Sequence, residues 1–515
     1  MIGTIYSIIP ALIMLILVLL TRKVLLSLGA GIVVGALFIH EYDLLQSINE
    51  IWTNFYTIFY SGGGFETGNI QLLSFLLLLG IMTAFLQASG GSKAFGDWVI
   101  HRIKTRRGAQ LVTPALGLLI FIDDYFNALA VGQIARPLTD RHKISRAKLA
   151  YYIDSTSAPI TVISPISSWG AYLIGIIGSL VVSSGIPPLE AFIKIVPYNF
   201  YALGALLLVF LTAYLQLDIG TMRKHEERAI QTGEVIDPEN DKVPGDLSNV
   251  FKPNKNGTIY HLILPIAVLV VATVITMTIS GAKESPGERT VLSIFENTNV
   301  NFSLFIGGLA AAMTSLIFHF FQRKPKANTG IILREGIKTM LPAIYILLLA
   351  WMIGSVIDTL QTGEYLAELV SEANIDSMLL PFLFFLISGV MAVATGTSWG
   401  TFGIMLPIAA EVTISTDVSL LLPTLASVLA GSVFGDHCTP ISDTTILSST
   451  GAGANHIDHV ITQLPYAIIA AVASAIGYLL IGLTGQMILG LLSTFLIIVV
   501  TAMLFNRNKK TSKGM

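Results

Sequence analysis

Apolar runs approaching the roughly 20 residues that span a hydrocarbon core recur along this chain, and several are interrupted by residues that a buried helix accommodates only at a cost. The clearest interruption is residues 431–460, GSVFGDHCTPISDTTILSSTGAGANHIDHV. It carries Asp436, His437 and Asp443, a helix-breaking Pro440 and many Ser and Thr. A lone carboxylate at bilayer depth costs about 2.5–3.5 kcal/mol on insertion scales. Two so close together need a partner, and a cation or proton is the simplest one. The segment therefore reads as half of an ion-binding site.

Of the 515 residues, 53% are hydrophobic and only 12% charged, more apolar sequence than a soluble domain of this size needs. A polytopic helical membrane protein is expected, because a β-barrel would show short alternating strands instead. The net charge of -2 gives no sign of a nucleic-acid partner. Cys438 is the only cysteine, so no internal disulfide can form. No Walker A, GxGxxG or paired CxxC pattern occurs. ATP-driven transport by this chain alone is unsupported, and neither a cofactor nor an enzymatic activity is expected. The first residues lack the basic start and small-residue cleavage site of a signal peptide and read as a spanning helix that stays in place.

In chain order, helices are expected at 4–20, 24–38 and 70–87. An acidic segment lies between the last two, and its aromatic stretch IWTNFYTIFY suits the membrane interface. The run 110–134 is interrupted by FIDDYFN and is basic at both ends, with Arg106 and Arg107 before it and Arg136, Arg141 and Arg146 in or after its far end. Basic flanks favour the cytoplasm, and one crossing cannot place both ends there. A re-entrant hairpin follows, with Asp123, Asp124 and Asn127 near its tip. Non-helical backbone at depth is tolerated where it lines a polar cavity or is buried in protein. A crossing at 148–182, broken by SAPITVISPISSWG, and a helix at 191–215 complete the first half. Beyond the polar segment 218–257 the plan repeats. Helices are expected at 259–279, 302–321 and 341–360, then an interrupted run at 379–410 (ATGTSWGT) and a broken crossing at 420–450. Helices at 460–483 and 487–505 precede a basic tail.

The two halves also match in sequence. APITVISPISSWGA (158–171) aligns without gaps to TPISDTTILSSTGA (439–452), which sets Pro159 on Pro440, Ser167 and Ser168 on Ser448 and Ser449, and Gly170 on Gly451. With an odd number of crossings in each half, roughly five, the copies lie upside down relative to each other. The expected fold class is an all-α polytopic membrane protein with inverted repeats, each holding a re-entrant helical hairpin and a broken transmembrane helix. Residues 1–217 form the first repeat, 218–257 a cytoplasmic polar loop, 258–485 the inverted second repeat, and 486–515 an extra helix and basic cytoplasmic tail. The N-terminus then lies outside and the C-terminus in the cytoplasm. Paired interrupted segments in opposed repeats point to a secondary-transporter site near the midplane.

Broken helices free carbonyls that attract cations. Hydroxyls add neutral oxygen ligands suited to a hard ion such as sodium. Desolvation disfavours an ionised carboxylate, so one that loses its cation takes up a proton. Competition between the two for one carboxylate suffices for antiport. The expected ion- or proton-binding residues are Asp123, Asp124, Asn127, Asp154, Ser157, Thr397, Ser398, Asp436, Thr439, Ser442 and Asp443, with sodium at Asp154, Asp436 and Asp443. For an organic solute the candidates are Ser167, Ser168, Ser448 and Ser449. Structural alternatives stand beside these roles. Asp123 and Asp124 could cap a turn, Asn127 could satisfy backbone at the bend, Asp154 could cap a half-helix, and Asp436 and Asp443 could bond each other. His437 reads as a partner of a neighbouring acid, and Trp169 and Trp399 as packing. A surface loop accounts for Asp458 and His459 as well as a functional role does.

Residues 435–467, GDHCTPISDTTILSSTGAGANHIDHVITQLPYA, closely resemble the signature of the NhaC family of sodium/proton antiporters. FIDDYFNALAVG, the SAPI…SSWGAY region and TGTSWGTFGIMLPIA are similar to that family too. The resemblance implies membership of the ion-transporter superfamily and a bacterial inner-membrane protein that exchanges sodium for protons. Similar proteins exchange malate and lactate or move amino acids, so sodium- or proton-coupled transport of a small organic acid or amino acid is the alternative. Against it, no Arg or Lys lies in the interrupted segments to neutralise an anion. Two opposed copies serve no purpose in an intramembrane enzyme or receptor, and a channel would show single-channel currents. Lipid is the surrounding partner. Carriers of this kind often form homodimers, and the sequence marks no interface.

Overall fold

The computed structural model describes residues 1–512 except 22, 122, 166, 181–186, 239–253, 286–289, 323–326, 366, 367 and 369–375. Some helical side chains, that of Ser168 among them, lie outside the described set, as does most of the polar segment's second half. Among the described residues eight helices are long and apolar enough to cross a bilayer. The number is nine if Pro188–Tyr198 and Phe200–Leu215, bent by 52°, count as one span. The one sheet among the described residues is a two-residue ribbon, Tyr60–Ser61 against Gly64–Phe65. The chain is an all-α polytopic membrane protein.

Helix composition sorts by position. Tyr260–Glu284 and Met487–Ser512 expose Val271, Ile275 and Ile279, and Leu492, Leu496 and Val500, as faces for lipid. Leu421–Cys438 is buried nearly all round, and its polar residues therefore face protein. Leu44–Thr57 exposes Leu45, Ile48 and Trp52 along one side and has the amphipathic character of an interfacial helix.

The first two helices, Ile9–Thr21 and Val24–Ile39, hold 13 and 16 residues. A helical turn, Ile5–Ile8, runs directly into the first, so both helices fall where they are expected at 4–20 and 24–38, though they are shorter than the eight long helices. The polar segment opens with a short helix, Met222–Thr232, which packs against Arg146–Ile163, the helix after the first hairpin. Its Glu226 is fully buried, bonds the Arg106 side chain and accepts from the Ser145 backbone N–H at 2.7 Å. Lys148, at the start of the expected broken crossing, is fully buried. It bonds Asp218 and donates to the Leu217 carbonyl at 3.0 Å.

A hairpin followed by a broken helix occurs twice. The first hairpin is Arg106–Leu119 with Asp124–Arg141, and its broken helix is Arg146–Ile163 then Ser168–Leu180. The second hairpin is Leu380–Thr395 with Ser398–Thr416, and its broken helix is Leu421–Cys438 then Asp443–Ala452. The breaks, at 164–167 and 439–442, correct the internal alignment. The sequence match sets 158–161 opposite 439–442, yet Pro159 lies inside Arg146–Ile163 whereas Pro440 lies in a break. The structural counterparts are SPIS (164–167) and TPIS (439–442). Here Pro165 matches Pro440, and Ser167 matches Ser442, each receiving the backbone N–H three residues on. The Ser- and Gly-rich stretches that follow the breaks misled the alignment. A Pro early in a break and a capping Ser at its end define the true register.

The halves meet backbone to backbone at the centre. A Cβ on Gly451 would lie 2.4 Å from the Ala128 carbonyl oxygen, and one on Gly132 2.4 Å from the Gly451 backbone. Only glycine allows the inner arm of the first hairpin to lie this close to Asp443–Ala452.

Candidate ion-binding site

Eight half-helices end at the two turns and two breaks, and each chain re-entry is capped. Asp123 accepts from the Phe126 N–H at 2.9 Å, Ser167 from Gly170 at 2.8 Å, Thr397 from Gly400 at 3.5 Å and Ser442 from Thr445 at 3.3 Å. Four residues expected to bind ions or solute thus also satisfy orphan donors at helix N-termini. The N-cap alternative holds for Asp123. It does not hold for Asp154, which lies in the middle of Arg146–Ile163.

Asp154 is fully buried and surrounded by donors from the second half. Ser448 Oγ donates to Oδ1 at 2.9 Å, and Gln463 Nε2 to Oδ2 at 2.6 Å. His459 Nε2 lies 3.2 Å from Oδ2. Thr445 Oγ1 stands 3.3 Å from both Asp154 Oδ2 and the Asp436 carbonyl oxygen, so one hydroxyl bridges the two acidic positions. His459 is fully buried, which excludes the surface-loop reading. Neither His459 nor Gln463 stands out in the sequence as a partner of Asp154. A capped helix start at Asn455 followed by polar residues at 456, 459 and 463, one face of a helix, is the signal that could have found them.

A second group surrounds the other break. Asp436 is buried. Its Oδ2 accepts from Thr444 Oγ1 at 3.0 Å, while its Oδ1 has no partner. Asp443 is half-buried, accepts from the Thr444 N–H at 2.9 Å and bonds the Tyr125 hydroxyl. Tyr125, not singled out in the sequence, thereby ties the tip of the first hairpin to the second broken helix. Asp124 accepts from Trp169 Nε1 at 3.0 Å through Oδ1, while Oδ2 is buried without a partner. Asp123, Asp436 and Asp443 all lie within electrostatic reach of Asp124. Thr439 Oγ1 and Asn127 Oδ1 are likewise buried and unpartnered. Asn127 Nδ2 donates to the Gly117 and Ile120 carbonyls at 2.7 and 2.6 Å, closing the end of the outer hairpin arm.

The remaining expected residues lie at the edges of these groups. Ser157 Oγ donates to the Asp154 backbone carbonyl at 3.2 Å. Ser398 Oγ donates to the Ser432 carbonyl at 3.3 Å. Ser449 donates to Ile446 and contacts His456. His437 pairs through Nδ1 with the Tyr201 hydroxyl at 2.9 Å and lies within electrostatic reach of Asp154. Trp169 does more than pack, since it anchors Asp124 while its ring meets Trp399 edge-on at 5.8 Å. Among the described residues no three His, Cys, Asp or Glu side chains converge as a metal-ion group. Any monovalent-cation site here draws on hydroxyl, amide and carbonyl oxygens beside its carboxylates. An open cavity of ≈ 640 Å³ reaches Asp123, Asp124, Tyr125 and Trp399.

Capped turns and broken helices around buried, partly unsatisfied carboxylates are the arrangement expected of a multi-pass membrane transporter. Comparison with known proteins agrees. The description of the Na+/H+ antiporter family matches residues 160–483, and the chain belongs to that family. A Haemophilus influenzae protein of uncharacterised function is 45% identical over 507 residues, 97% of this chain and 95% of its own length. The malate-2H(+)/Na(+)-lactate antiporter of Bacillus subtilis is 29% identical over 195 residues, 37% of this chain and 39% of that protein. An uncharacterised Na(+)/H(+) antiporter of H. influenzae is 34% identical over 97 residues, 19% and 20% of the two chains.

Proposed function

We propose that this antiporter exchanges sodium ions for protons across the bacterial cytoplasmic membrane by alternating access. One observation carries the reading. Four buried oxygens, Asp436 Oδ1, Asp124 Oδ2, Thr439 Oγ1 and Asn127 Oδ1, are left unmet beside the turn and break that Tyr125 ties together. Buried polar atoms without partners are costly, and a bound cation satisfies oxygens of this kind. In this reading sodium is held by the open carboxylate oxygens of Asp436 and Asp124 with help from Thr439 and Asn127, while Asp443 adds negative charge nearby. The donors around Asp154 favour its ionised form and leave it no open acceptor, so it anchors the two halves, and the proton competes with sodium at the open carboxylates. Thr445 touches both Asp154 and the Asp436 carbonyl and couples this anchor to the ion site.

The two halves are proposed to be inverted repeats, 1–217 and 258–485, with the loop 218–257 and the tail 486–515 in the cytoplasm and the N-terminus outside. Reporter fusions at the two ends check that orientation. A second reading, coupled exchange of a small organic acid, is supported by the Bacillus subtilis relative's name. Asp124, Asp436 and Asp443 are bonded by hydroxyl, indole and backbone donors rather than by Lys or Arg, which favours a cation. The test is purified protein in vesicles carrying a pH gradient. Sodium addition is expected to collapse the gradient. An active preparation in which malate or lactate does so and sodium alone does not would overturn the assignment.

A further inference from the structure

The cavity above the first hairpin is larger and more acidic than sodium requires. Its ≈ 640 Å³ falls within the range of about 300–1,000 Å³ typical of sites for small organic molecules. Asp124, Tyr125 and Trp399 come from the hairpin turns, while the exposed Glu284 and the amides of Asn297 and Asn301 come from the adjoining helix ends. Among the described residues three carboxylates contribute to the lining, and no Lys, Arg or His does. Such a surface repels carboxylate solutes and concentrates cations.

Asp124 supplies the independent observation. One of its oxygens is held by the Trp169 indole N–H, and the other is buried without a partner. A fixed, half-satisfied carboxylate is a receptor for a charge-assisted hydrogen bond from an N–H donor. Trp399 is held against Trp169 and Tyr172 by ring contacts and offers an aromatic wall of the type that attracts organic cations.

Resting on the cation-exchange reading, we propose that this cavity binds organic ammonium ions, so that the carrier accepts small alkylamines as well as sodium. The ammonium bonds Asp124, the alkyl chain lies along Trp399 and Tyr125, and Glu284 favours molecules with a second positive group. No covalent step is involved, only competition between an ammonium and sodium for one carboxylate.

The probe is putrescine, with ethylamine as the singly charged control and malate and lactate as anionic controls. Full-length protein in proteoliposomes is assayed for uptake of labelled putrescine and for its competition with sodium-evoked proton movement. The detergent-solubilised protein is assayed in parallel for thermal stabilisation by the same compounds. Putrescine is expected to compete with sodium, to bind more tightly than ethylamine and to stabilise the protein, while malate and lactate do neither. Asp124→Asn should abolish the amine response. Glu284→Gln should raise the ratio of the putrescine KM to the sodium KM about tenfold, the effect of one charged contact. Sodium–proton exchange with no amine transport, competition or stabilisation overturns this inference and leaves the exchange reading standing. So does an equal effect of Glu284→Gln on both cations. Transport of malate or lactate with no sodium–proton exchange would remove both.

Discussion

Asp154 and Asp436 are both buried at the core of the protein, yet they are built in opposite ways. Asp154 meets Ser448, Thr445, His459 and Gln463, and both of its oxygens are engaged. Asp436 has one hydroxyl partner and one oxygen with none. The first lies within an unbroken helical segment, and the second lies in the last turn before a break. A satisfied carboxylate stabilises the fold and leaves no room for an ion. A half-satisfied one stores a cost that a ligand can remove. Stability and transport should therefore divide between the two sites.

The largest effect should follow Asp436→Asn. It removes the charge but keeps the shape and the contact with Thr444, and apparent sodium affinity should fall about 100-fold, the order expected for losing a charged contact in a dry site. Parent-like sodium titration of this variant would end the contrast. Asp154→Asn should do the reverse. Its donors lose a charged acceptor, and stability should drop by about 2–3 kcal/mol in thermal unfolding. Sodium should still bind within about threefold of the parent. Sodium binding can be followed by protection against unfolding.

Tyr125→Phe cuts the tie between the first hairpin and Asp443. Exchange should slow about tenfold, as expected for a hydrogen bond to a charged group. The finest discrimination comes from two hydroxyls. Thr439→Val replaces an unpartnered oxygen with a methyl of the same shape, so stability should change by less than about 0.5 kcal/mol while sodium affinity weakens severalfold. Ser448→Ala removes a made bond, so stability should fall by about 1 kcal/mol with sodium affinity intact. If the two variants behave alike, the division between the sites is wrong.

Much of this arrangement is visible from residue types along the chain. Apolar runs mark the spans, and FIDDYFN, SPISS, TGTS and TPISD mark where they stop, because Pro lacks an N–H and Asp, Ser and Thr cap helix starts. Asp124 and Asp436 stand out because an acid at depth is expensive. The acceptors left open beside them are not visible, since an oxygen is unmet only relative to what folds around it. Asp154 and Gln463 are 309 positions apart, and Tyr125 and Asp443 are 318 apart. Nothing local marks such partners. The partners of the buried Lys148, Asp218 and Glu226, are likewise remote in the chain and meet it only in the fold.

The amino-acid sequence alone determined that the chain is a membrane protein of interrupted helices with acids at the interruptions, because hydropathy, caps and helix breakers act over a few neighbouring residues. Only the tertiary structure decided which acid is satisfied and which is left open, and which break corresponds to which. Hydrogen-bond saturation is a property of a three-dimensional neighbourhood, and here residues from both halves of the chain complete each neighbourhood.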